Sequence, residues 1–121
     1  MRAKLTVLVV AVVLVLLTAG AQGQETREAA CVPVEVSTSR SGVQVLCASD
    51  VLDGGESVRV FAVPANEEEF ANRFLNMANA ALVGGRGLNV RYQIRAWSLS
   101  EPPAPGCEIR GCRSTVAISV Y

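Results

Sequence analysis

Histidine is absent from the 121 residues of this chain. A protein without histidine lacks the usual general base of enzymes, the base that activates Ser and Cys nucleophiles, and imidazole ligands for metals. The remaining candidates for a base are carboxylates, and no spacing among them marks a catalytic pair: Asp50, Asp53, Glu56, Glu101 and Glu108. We therefore predict that the chain is not an enzyme and that it binds no metal or cofactor.

Lysine is also scarce, because Lys4 is the only one. Arg2 and Lys4 are two of the 11 basic residues, and all 11 acidic residues follow residue 21, so residues 22–121 carry nine basic and eleven acidic groups, a net charge of −2. Nucleic-acid binding proteins need a basic surface to offset phosphate charge. This balance argues against a nucleic-acid partner.

The N-terminus has the three-part layout of a secretory signal peptide. A positive start is followed by the apolar run Leu5–Leu17 and by the small residues of 19–21, which form an A-x-A cleavage site before Gln22; Gln24 is the alternative. The apolar run is well short of the roughly 20 residues that a spanning helix needs. We expect a signal peptide over 1–21, no membrane span after processing, and a secreted or periplasmic location.

Four cysteines remain after this cleavage: Cys31, Cys47, Cys107 and Cys112. An even number in a small exported chain predicts two disulfides. A hairpin centred near Ser39 places Cys31 opposite Cys47, and the two late cysteines are close in sequence, so we favour the pairs 31–47 and 107–112. In this register Val43 and Val45 face away from the valines of 32–36. Either a bulge resolves this conflict or the register is different. A zinc site of four thiolates is the alternative.

Apolar alternation predicts strands over 31–37, 43–48, 57–63, 86–97 and 114–121. Residues 66–83 predict a helix, with Asn66 as its N-cap, the apolar stripe around Phe74 facing the core or a partner, and a Gly84-Gly85 stop. The acidic, glycine-rich segment 50–56 predicts a turn, and a calcium loop is the alternative.

The strand 86–97 alternates so regularly that one face should be buried and the other exposed. Arg91, Arg95 and Trp97 fall on the exposed face, directly before a proline-rich loop over 98–113. Guanidinium groups beside an indole suit an acidic sugar or another carboxylate-bearing partner. The alternative is a solvated strand face with Trp97 packed under the loop.

The element order predicts a mainly β fold with one helix, a five-stranded OB-fold-like antiparallel barrel in the order β-β-β-α-β-β after the cleaved signal peptide. Residues 22–30 are then a flexible lead-in, and 31–121 form one disulfide-stabilised domain.

Three features of this domain resemble the small secreted OB-fold proteins related to the B subunit of subtilase cytotoxin, an AB5 toxin. These are the pair Cys31 and Cys47 around the first hairpin, the helix and stop EFANRFLNMANAALVGG of 69–85 leading to LNVRY of 88–92, and the late pair Cys107 and Cys112. The resemblance implies an OB-fold, a non-enzymatic chain and a ring-forming glycan binder. The segment before the first cysteine is shorter than in the toxin subunits, and the end of the helix lacks their tyrosines, so no sugar-binding residue is carried over.

The predicted function is that of a secreted or periplasmic binding module for a glycan or an acidic ligand. The predicted partner is a glycan or another extracytoplasmic protein, and a homo-oligomer is an open alternative. Two other functions are a protease inhibitor that acts through the 107–112 loop, with Arg110 entering a specificity pocket, and a structural envelope protein.

Overall fold

The computed structural model describes residues 25–95 and 102–121. The predicted signal peptide and Trp97 lie outside these residues. The described part is mainly β with one helix, and its elements are β1 (Thr26–Cys31), β2 (Pro33–Thr38), β3 (Gly42–Asp53), β4 (Glu56–Pro64), α1 (Glu68–Gly84), β5 (Leu88–Gln93) and β6 (Cys112–Val120).

The strands form one curled mixed sheet in the order β1-β5-β6-β4-β3-β2. Strands β4 and β6 are parallel, and the other neighbouring pairs in this order are antiparallel. Strands β1 and β2 lie at opposite edges of the sheet, yet only Val32 separates them in the chain. The sheet therefore curls into a half-barrel whose two edges approach each other at this residue.

The prediction of five antiparallel strands is wrong in two respects, the number of strands and the parallel pair. Residues 26–30, assigned to a flexible lead-in, form most of β1 and pair with β5, with Ala29 opposite Val90. Ala29 is 8% exposed, while the other residues of 26–30 are exposed. This mostly polar composition gave no hydrophobic signal for a strand.

Both predicted disulfides are present, with Cα–Cα distances of 5.2 Å for Cys31–Cys47 and 5.8 Å for Cys107–Cys112. No thiolate among these four cysteines is left for zinc. The two bridges indicate an oxidising, extracytoplasmic environment. Within the described residues, no helix is long and apolar enough to cross a membrane.

The predicted register of the first hairpin is wrong, although its disulfide forms. Val36 pairs with Val45, and a bulge between Pro33 and Glu35 places Pro33 opposite Cys47. In this register Val43 and Val45 are buried, whereas the predicted register turned them away from the first strand. The disulfide forms in this register because the extended segment is interrupted at Val32. Cys31 is the last residue of β1, a different strand from β2, and it reaches Cys47 of β3 from there.

Helix α1 packs on the sheet through Phe74, Ala78 and Ala81 of the predicted stripe and through Ala71, which the prediction did not include. Leu82, predicted for the stripe, is 36% exposed. The helix ends at Gly85, in the left-handed conformation, as the sequence predicts. Asn66 is not the N-cap. Residues 65–66 instead form a turn in which the Glu67 N–H donates to the Pro64 carbonyl at 3.1 Å. The helix therefore starts one residue later, with Glu67 as its N-cap, and the Glu67 side chain makes no cap hydrogen bond.

Candidate binding site

Strand β5 carries the predicted exposed face only as far as Gln93. Its alternation is confirmed, since Leu88, Val90 and Tyr92 are buried. Beyond the strand, the Ile94 N–H donates to the Glu25 carbonyl at 3.2 Å, and the Arg95 N–H donates to Asp53 Oδ2 at 2.8 Å. A carboxylate thus replaces the next strand partner, and the backbone at Arg95 leaves the sheet.

The proline-rich segment 102–106 is held against the sheet by hydrogen bonds and packing. Ser114 Oγ donates to the Pro105 carbonyl at 2.6 Å, and Gln44 Nε2 donates to the Gly106 carbonyl at 3.3 Å. Ala104 is 7% exposed and packs with the Cys107–Cys112 bridge. Gly106 has φ +85°, and a Cβ there would lie 2.8 Å from the Pro64 nitrogen. Residues 102–106 therefore form a wall that has little freedom to move.

A cleft of about 640 Å³ lies between this wall and the end of β5. Its lining residues are Glu25, Gln93, Ile94, Arg95, Pro102, Pro103, Ala104 and Pro105. Its volume is in the range of small-molecule sites. Arg95 joins the two sides, because its Nη2 donates to the Pro102 carbonyl. The cleft thus combines one cation, one carboxylate, one amide side chain and rigid apolar rings.

The structure places the three predicted site residues differently. Arg95 lines the cleft. Arg91 lies in a separate, smaller groove of about 200 Å³, where its Nη2 is 2.7 Å from Glu28 Oε1. Trp97 lies outside the described residues. The two arginines therefore line different depressions, because the backbone turns away from the sheet before Arg95.

A buried ionic cluster behind the cleft was missed by the sequence analysis. Arg113 Nε lies 2.6 Å from Asp53 Oδ2, and both side chains are almost fully buried. Glu56 Oε1 lies 3.4 Å from Arg113 Nη1 and also accepts from the Gly111 N–H. Because Asp53 accepts from Arg95 as well, this cluster connects the cleft to the base of the 107–112 loop.

Tyr92 lies in the core near this cluster, with its ring centroid 5.3 Å from that of Phe61. Burial raises the pKa of the Tyr92 hydroxyl, and the negative charge of Asp53 raises it further, while Arg27 and Arg113 act in the opposite direction.

The carboxylates of the 50–56 turn are engaged by protein groups. Asp50 Oδ1 lies 3.1 Å from Arg59 Nε, and Asp53 pairs with Arg113. The turn itself is made by Gly54 and Gly55, both with positive φ. Over 25–95 and 102–121, no group of three or more His, Cys, Asp or Glu side chains could hold a metal ion. The segment forms the β3–β4 hairpin turn.

No family model, curated protein or solved structure matches the chain. The likeness to toxin B subunits therefore rests on the residue pattern alone, and the function has to be argued from the cleft and the residues around it.

Proposed function

We propose that this chain is an exported, non-enzymatic binding module that holds an acidic ligand, such as a glycan with a carboxylate, in the cleft between the end of β5 and the proline wall. The observation that carries this proposal is the position of Arg95. Its backbone is fixed by the Asp53 carboxylate, and its guanidinium lines a cleft with a rigid opposite side. Such preorganisation lowers the entropy lost on binding.

The strand order supports an OB-fold-like interpretation of the domain. The order β2-β3-β4-β6-β5, with a parallel β4–β6 pair, suits a five-stranded barrel in which β1 and β2 together take the place of the first strand. A break at Val32 within that long strand accounts for a sixth strand in the sheet.

Ligands of OB-folds commonly bind at the strand 2–3 face and at the loops that join strands 1–2 and 4–5. In this chain the described parts of those loops are residues 39–41, 94–95 and 102–111. Ser41 Oγ lies 3.3 Å from Glu108 Oε1, so the two loops are in contact. The cleft is lined by the second of these loops, which supports a binding role for it.

The chemistry of Arg95 suits a carboxylate. A guanidinium has five N–H donors in a planar fork, which allows it to bind a carboxylate through two parallel hydrogen bonds. A ligand carboxylate would add to, or replace, contacts that Arg95 makes with the protein. The pyrrolidine rings of the wall offer apolar surface to the rest of the ligand.

A glycan array that includes sialylated and uronic-acid glycans tests the proposal, with the oligomeric state measured in parallel. We expect binding to acidic glycans that weakens as salt is added, because charge pairing is screened. Arg95→Ala should abolish this binding. Arg91→Ala is the matched control and should bind normally, because Arg91 pairs with Glu28 in a separate groove.

The double change Arg91→Ala/Arg95→Ala should behave like Arg95→Ala alone. An array without acidic glycans among its hits, or an Arg95→Ala variant that is folded and binds normally, would refute the site. Circular dichroism of each variant checks that the fold is intact.

The protease-inhibitor alternative has weaker support. Strand-like recognition needs an extended backbone, whereas residues 108–111 form consecutive bends, and Arg110 Nη1 lies 3.8 Å from Glu56 Oε2. A trypsin assay with the purified protein separates the two functions, since only an inhibitor slows substrate cleavage.

Export is part of the proposal and has its own test. Intact-mass analysis of the exported protein should show a chain that begins at Gln22. Recovery of an uncleaved chain in the membrane fraction would contradict it.

A further inference from the structure

The two disulfides are embedded differently in the fold. Cys31 and Cys47 are 0% and 1% exposed and lie in the main core cluster, which α1 and strands β1, β3, β4 and β5 share. Cys107 and Cys112 are 8% and 2% exposed and belong to a second, smaller cluster together with Ala104 of the wall. The first bridge spans a sequence separation of 16 and the second a separation of 5. A bridge across a short loop removes little entropy from the unfolded chain, so the second bridge contributes less to the stability of the domain.

The loop that the second bridge closes buries little surface of its own. Its residues 108–110 are exposed. Polar contacts join this loop to the rest of the fold, since Ser41 Oγ donates to Glu108 Oε1 at 3.3 Å and Arg110 Nη1 lies 3.8 Å from Glu56 Oε2. Exposed polar contacts stabilise a fold only slightly, and segments with few buried apolar contacts open at a low free energy. We therefore expect local opening of this loop to expose the sulfurs of the bridge while the domain stays folded.

The second bridge also holds the wall, residues 102–106, against the sheet. Cys112 is the first residue of β6 and pairs with Val60 of β4. Cys107 directly follows the wall, and its N–H donates to the Ala104 carbonyl at 2.9 Å. The bridge therefore cross-links the end of the wall to the parallel pair of strands. With the bridge open, the wall keeps its side-chain hydrogen bonds to the sheet but loses this cross-link.

We propose that the Cys107–Cys112 bridge is a redox switch for the wall: a dithiol reductant opens it while Cys31–Cys47 stays closed, and the wall then becomes mobile. A thiolate of the reductant attacks one sulfur of the bridge and forms a mixed disulfide, and the other cysteine sulfur leaves and takes up a proton. The second thiol of the reductant then displaces the first cysteine sulfur, so that two electrons pass to the bridge and the reductant becomes a disulfide. That opening of the switch weakens ligand binding in the cleft rests on the proposed function.

Graded reduction of the purified protein with dithiothreitol, quenched by alkylation and followed by peptide mapping, tests the order in which the bridges open. We expect Cys107–Cys112 to be reduced at least about tenfold faster than Cys31–Cys47, because opening of an exposed loop requires less free energy than unfolding of the core. The far-UV circular dichroism should be unchanged while only the second bridge is open. Reduction of Cys31–Cys47 first, or loss of the fold in step with opening of Cys107–Cys112, would overturn the proposal.

Hydrogen exchange measured by mass spectrometry tests whether the bridge holds the wall. In Cys107→Ser/Cys112→Ser, the amides of residues 104–107 should exchange at least about tenfold faster, while those of α1 should be unchanged. Ser41→Ala is the matched control, because it removes the contact to Glu108 and leaves the bridge closed, so exchange in the wall should not change. Unchanged exchange in the double variant, or a double variant that does not fold, would show that the bridge is not a switch.

Binding of 3′-sialyllactose, measured by calorimetry, tests the consequence for the cleft. We expect the double serine variant to bind about tenfold more weakly than the disulfide-bonded protein, because a mobile wall is no longer preorganised. Equal affinities together with faster exchange in the wall would show that the switch does not control the cleft. Absence of acidic-glycan binding by the disulfide-bonded protein would refute the proposed function, whereas the order of reduction and the exchange of the wall decide the switch itself.

Discussion

Replacing Arg113 by methionine should test the buried ionic cluster most directly. The guanidinium and the Asp53 carboxylate are 3% and 4% exposed as side chains, with 2.6 Å between Nε and Oδ2. After Arg113→Met, the carboxylate stays in the core with the Arg95 N–H as its remaining donor in the described part. Breaking a buried pair from one side costs about 3–5 kcal/mol. That is a large part of the roughly 5–15 kcal/mol by which a domain is stable.

The two partners should not be equivalent. Asp53→Asn removes the negative charge, but Arg113 keeps Glu56 at 3.4 Å and the carbonyls of Cys112 and Asp53 at 3.0 and 3.2 Å. Its loss in the free energy of unfolding should therefore be smaller than that of Arg113→Met. The double variant should be more stable than the sum of the two single losses predicts, by about 1–3 kcal/mol of coupling energy.

Urea unfolding followed by far-UV circular dichroism, with both disulfides intact, measures these differences. At an m-value of about 1–3 kcal/mol/M, the Arg113→Met midpoint should fall by roughly 2 M. Arg91→Met is the control, because its pair with Glu28 is half exposed, and it should cost less than about 1 kcal/mol. A loss for Arg113→Met as small as that of the control, or strictly additive losses in the double variant, would refute this account.

Three further predictions concern the rest of the fold. Cys47→Ser should lower the melting temperature more than Cys112→Ser, because the first bridge closes the longer loop, with a chain-entropy difference of about 1 kcal/mol; equal shifts in calorimetry would contradict this. Phe74→Ala should cost about 3–5 kcal/mol in urea unfolding, since Phe74 is fully buried, whereas Asn66→Ala should cost little, because Asn66 is not the N-cap. The pKa of Tyr92 is raised in the folded state, so its contribution to the free energy of unfolding is present below the unfolded pKa of about 10 and is lost as pH rises through the folded pKa. Tyr92→Phe should therefore lose less stability at alkaline pH than the unchanged protein in urea titrations at several pH values. An identical loss of stability in the variant would be evidence against this account.

Features that depend on local pattern were predictable. The helix stripe around Phe74, the glycine stop at Gly85 and the alternation of Leu88, Val90 and Tyr92 follow from spacing along one element, and the structure confirms each. The late disulfide joins cysteines so close in sequence that no distant contact had to be known.

Features that depend on partners distant in sequence were not predictable. The polar strand β1 forms because it pairs with the edge of β5 and because Ala29 and Cys31 are buried. The sequence of residues 26–30 predicts neither the pairing nor the burial. Strands β4 and β6 can pair in parallel because the helix and β5 form a long connection between them. The hydrophobic pattern of each strand does not show which strand it will pair with or in which direction.

The sequence by itself determined the composition of the domain, its two disulfides, its helix and the chain segments from which a binding surface could be built. The tertiary structure decided which of those segments meet. Asp53, Arg95 and Arg113 are 18 or more residues apart along the chain, and only the curled sheet brings the first of them within hydrogen-bond distance of both others. Burial of polar side chains carries no hydrophobic signal in a sequence, so an ionic cluster and an unpaired Thr115 hydroxyl become visible only when the packed core is known.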